Sequence, residues 1–127
     1  MLLLDTHLTL GAAFEPDRPS AKASRQLKSR AVPLAFSLAS IWEVAIKTSL
    51  ARPGFSVDAR MLHGALLSEG FVKLPILATH IARVAGLPWV HRDPFDRMLV
   101  AQAMEERLTL LTSDATLKVY GRFVKVV

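Results

Sequence analysis

His91-Arg92-Asp93-Pro94-Phe95-Asp96-Arg97 gathers two carboxylates and two arginines at what reads as one helix start. Asp93 is placed to cap the free backbone N–H groups, and Pro94 takes the first helical position, where no N–H is needed. Asp96 follows three residues after the cap. Acids at a helix N-terminus stabilise it by about 0.3–1 kcal/mol each, so a well-capped helix is one sufficient account. Three other acids suggest a second: Asp5 after Leu2-Leu3-Leu4, Glu43 in Ser40-Ile41-Trp42-Glu43, and Asp114 after Leu108–Thr112. Each also has a structural use, Asp5 and Asp114 as caps and Glu43 as the capping-box acid of Ser40. Brought together, carboxylates repel and shift one another's pKa, and a divalent cation relieves the repulsion. Oxygen ligands without cysteine suit Mg²⁺ or Mn²⁺ rather than Zn²⁺. Such sites activate a water and stabilise the leaving oxygen in phosphodiester cleavage.

A parallel sheet would bring the four acids to one rim. Leu2–Leu4, Val32–Ser37, Phe71–Ile76, Leu108–Thr112 and Phe123–Val127 read as strands, the first without polar alternation and so buried on both faces. Pro75 puts the third near an edge. Helices are expected over Thr6–Phe14, Ala21–Arg30 behind a Ser20 cap, Ile41–Leu50 behind Ser40, Val57–Ser68, Ala78–Ala85, and Pro94 to near Arg107. Glu15-Pro16-Asp17-Arg18-Pro19 breaks the first helix, the third stops near Pro53-Gly54, and Lys118–Gly121 reads as a turn. Strands alternating with helices imply an α/β protein: a three-layer α/β/α sandwich with a central parallel sheet, one domain over residues 1–127. In such sheets ligands bind beyond the carboxyl ends of the strands. Asp5, Glu43 and Asp114 follow strands. The helix begun by Asp96 runs antiparallel to the strand it feeds, so its start lies at the same rim.

Composition narrows the partners. Hydrophobic residues make up 51% of the 127, which excludes a disordered chain. The absence of cysteine excludes disulfides and thiolate metal sites and fits a reducing cytoplasm. The N-terminal apolar run lacks a basic flank and is too short for a signal peptide or a membrane span. A net charge of +5 favours polyanionic partners, nucleic acid first. Lys22, Arg25 and Lys28 share one helix face, read as solvated, with an RNA-facing stripe as the alternative.

Other chemistries find less support. His7, His63, His80 and His91 show no metal-ligand spacing, and His7 and His91 near the rim read as structural or solvent-facing, with assistance to catalysis as the alternative. No dinucleotide fingerprint, P-loop or nucleophile elbow occurs. A phospho-receiver domain also gathers acids at a sheet rim, but it pairs acids near the first strand, where only Asp5 stands here. Trp42 lies in a mostly apolar helix and reads as core; stacking on bases is its alternative.

Leu4-Asp5-Thr6-His7, Ser40-Ile41-Trp42-Glu43-Val44-Ala45-Ile46-Lys47, His91–Arg97 and Thr112-Ser113-Asp114 together resemble a PIN domain, most of all the VapC-type toxins of bacterial toxin–antitoxin pairs. The four blocks span almost the whole chain and stand in the family's order. The resemblance implies a Mg²⁺-dependent endoribonuclease, with Mn²⁺ a possible substitute. Asp5, Glu43, Asp96 and Asp114 then match the catalytic, metal-holding acids. Thr6 and Ser113 match small polar neighbours that support water or metal, and Asp93 matches the helix cap. Arg97 would contact phosphate or pair with an acid. The implied partners are an RNA substrate, a cognate antitoxin and a second copy of the chain, with no membrane. The alternative is a PIN-like module that holds RNA or protein without cutting. The chain departs from the family after His7, where Leu8-Thr9-Leu10-Gly11-Ala12-Ala13 is smaller than usual and contains glycine.

Overall fold

Leu3 and Leu4 are both fully buried, in separate hydrophobic clusters on opposite faces of one sheet. The same division holds for Ala35 and Phe36 and for Leu110 and Leu111. Successive strand residues face opposite ways, so a strand apolar at every position must be covered on both sides. The computed structural model describes residues 1–14, 20–29, 31–51, 53 and 55–127.

The elements are β1 (Leu2–Leu4), α1 (Thr6–Phe14), α2 (Ala21–Ser29), β2 (Leu34–Ser37), α3 (Leu38–Ser49), α4 (Ala59–Ser68), β3 (Val72–Leu74), α5 (Ala78–Ala85), α6 (Pro94–Glu106), β4 (Thr109–Thr112), a 3₁₀ helix (Ala115–Tyr120) and β5 (Val124–Val126). The strands form one sheet in the order β3-β2-β1-β4-β5, and every pairing is parallel. Leu8, Leu27, Leu62 and Leu66 of α1, α2 and α4 cover one face, and Leu99, Val100, Ala101 and Ala103 of α6 cover the other. This is the expected α/β/α arrangement, with β3 at an edge, where Pro75 placed it. No helix among the described residues is long and apolar enough to cross a membrane.

Caps set the helix starts. Ser20 accepts from Ala23 N at 3.1 Å, Asp58 begins α4, and Asp93 with Pro94 begins α6. One cap differs from expectation. α3 begins three residues early because Ser37, in extended backbone, accepts from Ala39 N at 2.9 Å. Ser40 therefore lies inside the first turn, buried, where Thr6 Oγ1 donates to its hydroxyl at 2.9 Å. Glu43 is thereby released from the capping box. The expected turn at Lys118–Gly121 is the end of the 3₁₀ helix, which Asp114 caps. The expected break at Glu15–Pro19, the helix end at Arg30 and the Gly54 of the expected stop lie outside the described residues.

Candidate functional site

Asp5 stands where β1 passes into α1 and is 6% exposed. Its Oδ1 accepts from Leu8 N at 2.8 Å, so it does cap α1. Its Oδ2 accepts from Thr112 Oγ1 at 2.5 Å and from Ser113 N at 3.4 Å, at the end of the neighbouring strand β4. Burial raises the Asp5 carboxyl above its ordinary range, and the Thr112 hydroxyl opposes that rise.

Glu43 arrives from α3 because Ala39, Ser40, Glu43 and Val44 form the helix's buried stripe. Lys47, one turn on, holds Glu43 Oε2 at 2.7 Å. Glu43 Oε1 is buried and has no hydrogen-bond partner, the one such side-chain atom among the described residues.

The N-terminus of α6 supplies Asp96. The preceding Asp93 is committed to capping, accepting from Phe95 N at 2.8 Å and Asp96 N at 3.1 Å. Asp96 Oδ2 lies 2.9 Å from His91 Nε2. Burial pushes the Asp96 carboxyl up to about 6; the His91 hydrogen bond opposes this, and the Asp93 and Glu43 charges add to it. Asp114, the most exposed of the four, is fixed by Thr116, whose N and Oγ1 donate to Oδ1 at 2.9 and 2.6 Å. Those bonds hold its carboxyl below the ordinary range.

All four expected acids line one cleft of about 330 Å³, together with Thr6, His7, Asp93 and Ser113. Lys47, Leu10 and Phe55 complete its wall. Lys47 was legible as the residue one helical turn after Glu43; Leu10 and Phe55 carried no chemical signal. The tightest group is His91, Asp96 and Asp114, each with a ligand atom within 4.8 Å of the others. The donor set suits a hard divalent cation. A buried carboxylate oxygen left without a partner, beside a second carboxyl pushed up by burial, is what such an ion would satisfy.

Two sequence expectations fail here. Arg97 neither pairs with an acid nor faces the cleft: it is 2% exposed, and its guanidinium donates to backbone carbonyls beneath Trp89. Adjacent helix positions point about 100° apart, so Arg97 turns away from the cleft that Asp96 enters. Trp42 is not core: it is 57% exposed, lies off the buried stripe of α3, and meets Phe95 edge to face at 5.2 Å. His91, expected near the rim, is there, and its ring is held on Asp96 rather than facing solvent alone.

A PIN domain family model matches residues 2–122. The chain belongs to the PIN domain family. Three solved structures share this PIN fold over nearly the full length of both chains. A toxin–antitoxin complex from Klebsiella pneumoniae is 18% identical with a TM-score of 0.66, covering 99% of this chain and 97% of that one. VapBC2 from Rickettsia felis, bound to a fragment of its promoter DNA, is 15% identical with a TM-score of 0.65, covering 99% and 96%. FitAcB from Neisseria gonorrhoeae is 20% identical with a TM-score of 0.64, covering 94% and 92%. At these identities the likeness establishes the fold. No curated protein matches the chain.

Proposed function

We propose that this PIN domain, acting as a single unit over residues 1–127, is a Mg²⁺-dependent endoribonuclease and the VapC-type toxin of a toxin–antitoxin pair in the cytoplasm. The observation that carries this reading is the convergence of Asp5, Glu43, Asp96 and Asp114, from four separated segments, on one cleft. Helix caps alone give no reason for that meeting. Those four residues would hold the cation, with Mn²⁺ able to substitute. When bound, it supplies the Lewis acidity that activates water and offsets charge on a phosphodiester.

The chain's own groups fit the remaining tasks. Asp93 keeps the α6 terminus in place, and Thr112 and Ser113 N orient the Asp5 carboxylate. Thr6 ties the start of α1 to α3 through Ser40. The net charge of +5 draws RNA phosphates towards a locally acidic cleft that repels them until a cation is present. One of the three structural neighbours is named as a toxin–antitoxin complex, which supports an antitoxin partner here. An antitoxin segment rich in arginine is electrostatically suited to cover the acids. A homodimer completes the proposed assembly.

Asp96→Asn is the direct test. It should abolish RNA cleavage while the protein keeps its cooperative unfolding; wild-type cleavage by the purified variant refutes the assignment. Calorimetric titration with Mn²⁺ separates the enzyme from a non-catalytic RNA- or protein-binding module, which should show no carboxylate-dependent uptake.

A further inference from the structure

Arg97 is buried, and all its polar partners are oxygens of neutral groups. Nη1 donates to the carbonyls of Pro88 at 2.8 Å and His91 at 3.3 Å, and to the Tyr120 hydroxyl at 3.3 Å. Nη2 donates to the carbonyls of Val84 and Leu87, both at 3.2 Å. The Trp89 indole lies over the guanidinium, with its ring centroid 3.9 Å from the central carbon. Carbonyl dipoles and a π face replace the carboxylate that a buried arginine usually takes.

Three of the four carbonyls, those of Leu87, Pro88 and His91, belong to the segment joining α5 to α6, and that of Val84 belongs to the last turn of α5. That segment has little apolar anchoring of its own: Leu87 is buried, but Trp89 and Val90 are exposed. A connection of this kind is held by its polar contacts. The last residue of it that Arg97 holds, His91, puts its ring on Asp96. Two consecutive side chains of α6 thus grip one residue, Arg97 by its backbone carbonyl and Asp96 by its ring.

We infer that Arg97 is a positioning residue: its guanidinium fixes the 84–91 connection, holds His91 against Asp96, and so sets the direction of the Asp96 carboxylate in the cleft. The functional consequence rests on the proposed cation site. Groups that orient a metal-binding carboxylate commonly contribute about 10–100-fold to metal affinity. Lysine keeps the charge but lacks the planar fork that reaches several carbonyls at once.

The test compares wild type with Arg97→Lys, His91→Ala and the double variant, each first shown to unfold cooperatively. In metal-free protein, NMR of the histidine side chains should show a hydrogen-bonded His91 ring N–H in wild type and its loss in Arg97→Lys. Mn²⁺ calorimetry should show roughly 10-fold or greater weakening in each single variant and no further loss in the double. A folded Arg97→Lys that keeps the wild-type His91 signal, or two losses that simply add, overturns the inference. Should Arg97→Lys fail to fold, Trp89→Leu removes the cover and leaves every carbonyl in place. It should broaden or shift the His91 signal, and an unchanged signal is equally fatal. If wild type binds no Mn²⁺, the cation-site reading falls, while the NMR comparison still decides whether Arg97 holds His91 on Asp96.

Discussion

Thr112 donates its hydroxyl to Asp5 Oδ2 between the carboxyl ends of the central strand β1 and its neighbour β4. The Thr112 hydroxyl oxygen in turn accepts from Asp114 N at 3.0 Å, so one threonine orients a buried acid and the backbone of a second. Thr112→Val keeps the shape and removes both bonds. It should destabilise the protein by about 1–3 kcal/mol, the cost of taking the better donor from a buried carboxylate and the acceptor from Asp114 N. Urea denaturation at neutral pH measures this, and a loss below about 0.5 kcal/mol contradicts the account.

Asp96 predicts a pH profile. Its carboxyl titrates at about 6 in the fold against 3.8 for the ordinary group, so the ionised form is the disfavoured one. The resulting cost is complete above about pH 6 and is relieved as pH falls towards about 4, so this residue makes the metal-free protein more stable on acidification through that window. The raised Asp5 carboxyl works in the same direction, while the lowered Asp114 carboxyl works against it only below its ordinary value of 3.8. Asp96→Asn should flatten the Asp96 contribution in urea melts. Mn²⁺ requires the ionised carboxyl, so its affinity should fall as pH drops below about 6.

Glu43 joins an unpartnered buried oxygen to an ion pair with a lysine that is itself partly exposed. Glu43→Gln should change metal-free stability by less than about 1 kcal/mol, because half-exposed ion pairs contribute little. Stabilisation by added Mn²⁺ should largely disappear, since ligand stabilisation follows affinity. Thermal melts with and without Mn²⁺ measure both effects. A Glu43→Gln protein with the full wild-type Mn²⁺ shift would remove Glu43 from the site.

Trp42 offers a contrast with a core tryptophan. Trp42→Ala should cost about 0.5–1.5 kcal/mol, the value of its edge-to-face pair with Phe95. A buried tryptophan would cost about 3–5 kcal/mol. Equilibrium unfolding separates the two ranges.

Gly11 gives a stabilising variant. A methyl group added there meets nothing within 4 Å, so no close approach requires the glycine. Gly11→Ala should stabilise the protein by roughly 0.5–1 kcal/mol through helix propensity, visible as a higher melting temperature.

Most of the architecture could be read from local pattern. Leu2-Leu3-Leu4 is a strand buried on both faces because nothing in it is polar, and the cap chemistry of Ser20 and Asp93 marked true helix starts. The meeting of the four acids followed from topology alone, since parallel strands send their carboxyl ends to one rim. What stayed hidden depended on the direction of single side chains. Ser37 and Ser40 are both capable caps three residues apart, and the choice was made by extended backbone at Ser37 and by Thr6 reaching Ser40. Arg97 stands beside Asp96 in sequence and looked like part of its chemistry, yet one residue of helical rotation takes it into the 84–91 connection. Trp42 misled for the same reason, lying just off a stripe whose apolar neighbours suggested burial.

Asp5 and Thr112 are 107 positions apart, yet the cleft needs both. Contacts of such long range form slowly compared with local ones. A growing polypeptide therefore carries Asp5 through the synthesis of 107 further residues before Thr112, which aligns it, is in place. Copies truncated before β4 lack the assembled cleft altogether, so any activity it has begins only once that strand has been made.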